Sequence, residues 1–166
     1  MNWYKTANSK LEKALIEKIK GKLSSNHIFT ELMEDYQIPL SNLKTNLKIE
    51  FVDLDGKFAE GNGELIRLDK SLLRSDFFSE SFHFVAHEFW HWVKRRSEAM
   101  HYFNDDEEIQ SFILAISWEL STGTSPEDTA RKIYPIVKGH YKNESDAMKM
   151  WNKMFQKASD IVNKKP

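Results

Sequence analysis

Cysteine is absent from the chain of 166 residues. This absence excludes disulfides, thiolate zinc sites and cysteine nucleophiles. Long apolar runs are missing as well, since no stretch approaches the length of a membrane span. The first residues also lack the apolar core of a signal peptide. We therefore expect no membrane partner and an intracellular, cytoplasmic protein.

An excess of one charge is missing too. Lys and Arg number 24 and Asp and Glu 25, for a formal net charge of −1. A protein that binds nucleic acid through a strongly basic surface needs an excess of Lys and Arg over Asp and Glu, so we expect no nucleic-acid partner. The hydrophobic share of 40% and the charged share of 30% are ordinary for a soluble globular chain. At this length one domain with one core is the simplest organisation.

Candidate catalytic residues lie in the run SFHFVAHEFWHWVKRR, which contains the pattern H-E-x-x-H at residues 87–91. Residues 76–104 contain no proline or glycine, so one helix can continue through the pattern. On a helix His87 and His91 project from the same face one turn apart, and both can reach one metal ion. Glu88 lies on the flank of that face, where it can take a proton from a metal-bound water.

The alternative for this run is a buried amphipathic helix that carries two hydrogen-bonded histidines. Glu88 fits that alternative poorly, because a carboxylate among so many aromatic side chains needs a partner. The pattern therefore predicts a Zn²⁺ site whose fourth position holds water, as in catalytic zinc sites.

A third ligand is expected from the next predicted helix, IQSFILAISWEL. Residues 104–107 read as its start, with an Asn N-cap, a glutamate in a capping-box position and acidic residues near the positive end of the helix dipole. Glu108 instead lies towards the apolar side of the helix, near Phe112 and Ala115, which makes it a candidate ligand. The predicted metal ligands are His87, His91 and Glu108.

Two other residues stay open as the third ligand: His101, in the connection between the helices, and Glu107. His83 is one turn before His87 and shares its face. Three histidines along one straight helix cannot surround an ion tetrahedrally, so His83 is not predicted as a ligand.

Three short segments that alternate with strand period precede the motif, at residues 47–54, 57–60 and 64–68. Tight-turn signals separate them, and they predict a small, mostly antiparallel sheet. Amphipathic helices are predicted over residues 1–24, 28–36 and 144–163. Another helix is predicted from Ser125-Pro126, interrupted by Pro135 and ended by Gly139.

The predicted fold class is α+β, in one domain. N-terminal helices occupy residues 1–45, a core with the sheet and the two metal helices occupies 46–122, and C-terminal helices occupy 123–166.

These pieces resemble the gluzincin metallopeptidases, in which a sheet, an HExxH helix and a glutamate-bearing helix follow one another. The matching residues are HEFWH at 87–91 and EIQS at 108–111. The compact chain is similar to minimal gluzincins and to small zincins of phages and mobile elements, over about residues 47–120. The resemblance implies a zincin-like fold and a zinc metalloendopeptidase acting on a peptide or protein, with Glu88 as general base. It also implies that the strand at 57–60 or 64–68 borders the cleft and pairs with extended substrate.

The chain departs from the thermolysin-like pattern at Phe112, where those enzymes carry an aspartate that supports a zinc-binding histidine. Support must then come from elsewhere, such as a backbone carbonyl. The transition-state donor of the family has no motif here; His140 and Tyr141 are the candidates, and a surface loop pair is the alternative. Lys94 and Ser97 replace the glycine and third histidine of metzincins.

Two classes of function stay open: a zinc peptidase, and a catalytically silent zincin-fold module that binds metal and acts through a protein partner. Glu88 favours the enzyme, because a binding module has little need of a general base. A di-iron bundle, suggested by Glu88-x-x-His91 and Glu98-x-x-His101, suits neither the strands nor the short spacing of these repeats.

Overall fold

The computed structural model describes residues 3–96 and 107–164, without the side chains of residues 3–8. His101, Glu98 and the predicted helix start at 104–106 lie outside the described residues. Within them the chain is α+β and mostly helical. The helices are α1 Trp3–Ser25, α2 His27–Asp35, α3 Ser41–Thr45, α4 Phe77–Glu80, α5 Phe82–Arg96, α6 Glu107–Ser121, α7 Pro126–Lys138 and α8 Glu144–Asn163. The strands are β1 Lys48–Val52, β2 Ala59–Gly61 and β3 Leu65–Asp69.

The sheet is mixed, so the prediction of a mostly antiparallel sheet is wrong. Its order is β1-β3-β2, with β1 parallel to β3 and β2 antiparallel to it. The chain does turn at Asp55-Gly56, where both residues have positive φ. However, the Leu54 N–H donates to the Asp69 carboxylate at 2.8 Å, so the connection crosses the carboxyl end of β3. It therefore delivers β2 to the far side of β3, and β2 becomes an edge strand.

One face of the sheet packs on the helices. Ile49 and Phe51 of β1 are buried, as are Ile66 and Leu68 of β3, in the alternation that the sequence predicts. On the opposite, exposed face Arg67 pairs with glutamates of both neighbouring strands. The sheet thus has one apolar and one solvated face, and the apolar face supports α5.

Helix α5 occupies the centre of the core. Phe89 and Trp92 are fully buried, and Phe89 packs edge-on against Phe29 of α2 with ring centroids 5.5 Å apart. Phe82 packs against Trp118 of α6 at 4.3 Å. Contacts with β2, β3 and α6 hold α5 on two sides. Burial of these large aromatic side chains fixes the helix that carries the H-E-x-x-H pattern.

The outer helices agree with their predicted extents, with two differences in detail. Leu11 of α1 and Ile161 of α8 are 54% and 43% exposed, where the amphipathic pattern of their helices predicts burial. Pro135 does not interrupt α7. It falls in the last turn, and the helix continues to Lys138. None of the helices that the structure describes is long and apolar enough to cross a bilayer.

Candidate metal centre

Helices α5 and α6 run in opposite directions and meet along facing rows of side chains. Near one end His83 lies 3.5 Å from Glu119, and near the other His91 lies 3.4 Å from Glu107. Residues 83, 87 and 91 recur every four positions on α5, and residues 108, 112, 115 and 119 form the facing stripe on α6. This register places the beginning of α6 opposite the H-E-x-x-H pattern.

Three predicted ligands converge at this point. His87 Nε2 is 3.2 Å from Glu108 Oε2, and His91 Nε2 is 3.0 Å from Glu108 Oε1. One potential donor atom from each of the three residues lies within 4.8 Å of the others. Two imidazole nitrogens and one carboxylate oxygen are a donor set typical of catalytic zinc sites, so these side chains fit a zinc ion.

The contacts shift the protonation of the cluster. Hydrogen bonds from His87 and His91 hold the pKa of Glu108 well below its usual range, although burial acts to raise it. Burial lowers the pKa of His91, but the hydrogen bond to Glu108 and the surrounding carboxylates outweigh it, and the net shift is upward. Glu108 is therefore an anion at neutral pH, which is the form of a carboxylate that binds metal.

Glu107 contacts the other nitrogen of His91, with Nδ1 and Oε1 3.4 Å apart. When Nδ1 carries the proton and donates to Glu107, Nε2 keeps its lone pair on the side of Glu108. The buried Lys94 ammonium in turn lies 3.6 Å from Glu107 Oε2. The described partner of His91 Nδ1 is therefore Glu107, and not a backbone carbonyl.

Ser111 is a second contact that the sequence analysis missed. Its hydroxyl donates to the Glu107 carbonyl at 2.8 Å and lies 3.1 Å from His91 Nε2. Ser111 is one turn after Glu107 and Glu108, and that spacing was the available signal for it.

Glu88 lies half-buried on the flank of α5, where β2 crosses the helix. Burial raises its pKa above the usual value, and Glu108 and Glu60 add to this, while His87 and His91 act in the opposite sense. A Cβ at Gly61 of β2 would come within 2.6 Å of Glu88 Oε2. The sequence suggested only a turn at Gly61, yet the absence of its side chain makes room for the Glu88 carboxylate.

Strand β2 runs along α5 in the same direction as the helix. The Phe58 ring lies 5.3 Å from the Phe84 ring, Gly61 lies against Glu88, and the Gly63 carbonyl accepts a 2.6 Å hydrogen bond from Arg96. The strand therefore borders the whole length of the H-E-x-x-H pattern.

A cleft of about 1170 Å³ opens between these elements. Residues 56–63, around β2, form one wall, while α5, α6 and α7 form the rest. Of the two segments predicted to border the cleft, the one at β2 does so, whereas β3 is enclosed between two strands. Since Asp69 N–H donates to the Phe58 carbonyl at 2.8 Å, the alternation of an antiparallel ladder points the backbone groups of Ala59 and Gly61 away from β3.

The two candidate transition-state donors have different surroundings. His140 is exposed and lines the cleft, with its ring 5.6 Å from Phe112, whose ring is in turn 4.6 Å from His87. Tyr141 is partly buried against the hydrophobic core and is not among the described residues that line the cleft. Of the two candidates, His140 is thus the one that shares the cleft with His87, His91 and Glu108 among the described residues.

Comparison of the chain with protein-family models, with curated proteins and with solved structures found no match.

Proposed function

We propose that the protein is a zinc-dependent peptidase that hydrolyses peptide bonds within this cleft. The observation that carries the proposal is the position of Glu88. Its carboxylate is beside a His87–His91–Glu108 donor set and under an edge strand, in a cleft large enough for a peptide. A site built only to hold metal needs the three ligands but neither this carboxylate nor this strand.

The roles of the ligands follow from their atoms. His87 and His91 would bind zinc through Nε2 and Glu108 through a carboxylate oxygen. Zinc held there would act as a Lewis acid that lowers the pKa of a water molecule and polarises the substrate carbonyl. Glu107 keeps His91 in the tautomer that binding requires, and Lys94 keeps Glu107 in place.

Glu88 is the proposed general base. As the water oxygen attacks the carbonyl carbon, one water proton moves to the Glu88 carboxylate. The same group then gives that proton to the amide nitrogen as the carbon–nitrogen bond breaks. His140, at the cleft wall, is the proposed hydrogen-bond donor to the oxygen that gains negative charge.

Strand β2 is the proposed substrate-binding edge. The outward backbone groups of Ala59 and Gly61 can pair with an extended peptide, as in other cases of strand addition. Backbone hydrogen bonds require an extended peptide and depend little on its side chains. Unfolded segments of varied sequence are therefore the expected substrates.

The test compares wild type with Glu88→Gln for zinc per chain and for cleavage of an unfolded protein, with and without chelator. Glu88→Gln keeps the shape of the side chain and removes the base. Zinc content should hold, while turnover falls at least roughly 10²-fold, about 2.7 kcal/mol of barrier. Glu31→Gln, an exposed position on α2, is the matched control and should stay active.

Two outcomes would decide against this proposal. Equal turnover in wild type and Glu88→Gln would remove the general base from the mechanism. Zinc binding without cleavage by the wild type would favour the silent metal-binding module that acts through a protein partner.

A further inference from the structure

The two ends of the cleft differ in chemical character. The end towards the carboxyl terminus of α5 is lined by charged side chains, among them Lys94, Arg95 and Arg96. The other end is lined by apolar side chains from four parts of the chain, namely Phe58 before β2, Phe84 of α5, Ala115 of α6, and Ile133 and Ile136 of α7. A peptide that lies along the cleft therefore meets charged groups at one end and apolar surface at the other.

Contacts between the helices place the apolar walls at one level of the fold. Ala115 is one turn before Glu119 on α6, and Glu119 lies 3.5 Å from His83, the neighbour of Phe84 in the sequence. Helix α7 meets α6 at the same level, because Lys132 Nζ is 3.0 Å from Glu119 Oε2. The walls on α5, α6 and α7 thus enclose one common end of the cleft.

Phe58 is the exposed member of this apolar end. It is 53% exposed, although its ring packs on the Phe84 ring with centroids 5.3 Å apart. Polar groups contribute little here, since both ring nitrogens of His83 are buried and Lys57 Nζ lies 3.8 Å from Glu60 Oε2. A large apolar side chain that is half in solvent at a cavity wall loses more surface to water when a second apolar group covers it, and this burial is favourable.

The position of Phe58 relative to Glu88 determines which residue of a bound peptide can reach this end. Gly61 lies against Glu88, the proposed base, so the cleaved bond lies near this level. Phe58 is three residues before Gly61, about 10 Å of extended chain. Phe84 is one turn before Glu88, about 6 Å along the helix. An extended peptide covers these distances in about two or three residues.

We propose that the apolar end is a subsite for a large apolar side chain, such as leucine, at the second or third residue after the cleaved bond. This inference rests on the proposed peptidase function. Antiparallel pairing with β2 is the more stable arrangement, and it places the residues after the cleaved bond towards Phe58. Successive side chains of an extended peptide point to opposite faces, so only one of the two positions points into the cleft. At that position we expect about a tenfold preference for leucine over alanine in kcat/KM.

The first experiment digests an unfolded protein with the zinc-loaded enzyme and maps the cleaved bonds by mass spectrometry. Leucine should exceed alanine about tenfold, after correction for composition, at either the second or the third position after the bond. No enrichment at these two positions would overturn the subsite. Enrichment only at positions before the bond would overturn it as well, because the peptide would then run in the other direction.

Phe58→Glu tests whether the substrate contacts this side chain. The variant removes apolar surface at an exposed position and adds a negative charge. The preference for leucine should fall about threefold or more, and lysine and arginine should become enriched at the same position. Leu40→Glu is the matched control, because Leu40 is 49% exposed and is not among the described residues that line the cleft. An unchanged preference in Phe58→Glu would overturn the subsite.

The second experiment needs no catalysis. Binding of N-acetyl-leucinamide and N-acetyl-alaninamide to the zinc-free protein is measured by NMR. We expect about tenfold tighter binding of the leucine compound, with shift changes at Phe58, Phe84 and Ile136 that Phe58→Glu weakens. Equal affinities, no binding of either compound, or shift changes only elsewhere would overturn the subsite. Selective binding at this end without peptide cleavage would refute the peptidase while it supports a site for an apolar side chain.

Discussion

Gly61 and Glu88 share one small space, because a Cβ on Gly61 would lie 2.6 Å from Glu88 Oε2. The obstructing atom is the end of a flexible side chain, so the fold can accept a methyl group there. The carboxylate, however, would have to leave its position beside the donor set.

Gly61→Ala should therefore lower turnover while the protein still folds. We expect the thermal unfolding midpoint and the zinc content to stay near wild type, while peptide hydrolysis falls about tenfold or more because the base is misplaced. Gly21→Ala is the matched control: nothing lies within 4 Å of the added Cβ, and a helical alanine stabilises by about 0.5–1 kcal/mol. Full activity in Gly61→Ala would show that Glu88 does not act from this position.

The contacts of Glu107 and Glu108 predict different losses of metal. Glu108→Ala removes a ligand and should abolish stoichiometric zinc binding under conditions in which the wild type is saturated. Glu107→Gln removes only the negative charge beside His91 Nδ1 and should weaken zinc affinity by about 10–100-fold. Competition with a chromophoric chelator measures both. Glu144→Gln, an exposed glutamate paired with Lys138, is the control. Equal losses in the Glu107 and Glu108 variants would contradict their separate roles.

The strand edge can be tested with two neighbouring prolines. Ala59→Pro removes an N–H that points away from β3, so stability should change little while KM for peptides rises about tenfold. Glu60→Pro removes an N–H that faces β3 and should lower stability by about 1–3 kcal/mol. Peptide kinetics and chemical denaturation of both variants provide the measurements. An unchanged KM in Ala59→Pro would mean that substrates do not pair with β2.

The buried Glu119 predicts part of the pH dependence of stability. Burial raises its pKa, but the nearby His83 and the hydrogen bonds from Lys132 and Thr124 outweigh burial and lower the pKa below its usual value. Because the folded-state pKa is lower than the unfolded one, Glu119 stabilises the protein above the usual glutamate value, about 4.3, and loses this contribution as pH falls through the folded pKa.

Glu119→Gln should accordingly be less stable than wild type at pH 7, by about 3 kcal/mol or more, because Lys132 loses its buried partner. The difference should shrink between pH 5 and pH 3. Thermal unfolding of both zinc-free proteins across this range isolates the effect from the metal ligands. A difference that grows on acidification would mean that the sign of the pKa shift is wrong.

Local patterns predicted the helices and the identity of the clustered side chains. The four-residue spacing places His87 and His91 on one face, and the position of Glu108 relative to Ala115 turns it towards α5. Each of these features depends only on helix geometry. The sequence could therefore indicate a candidate metal centre without knowledge of how the helices pack.

The strand order and the supporting residues could not be predicted in the same way. A turn signal such as Asp55-Gly56 shows where the chain bends, but a side chain fourteen positions later, Asp69, directs β2 across the sheet. The roles of Glu107 and Gly61 likewise depend on contacts between separate elements, with His91 and with Glu88. Such distances are properties of the assembled tertiary structure.

The adjacency of α5 and α6 in the chain has a kinetic consequence. His91 and Glu108 are only seventeen positions apart, so closing the chain between them costs little entropy, and their contact belongs to the local part of the topology. Gly61 and Glu88 are twenty-seven positions apart, so the contact between β2 and the helix closes a longer loop. During refolding we expect the three ligands to come together before β2 packs against Glu88. The ligands could then bind metal before the cleft is complete.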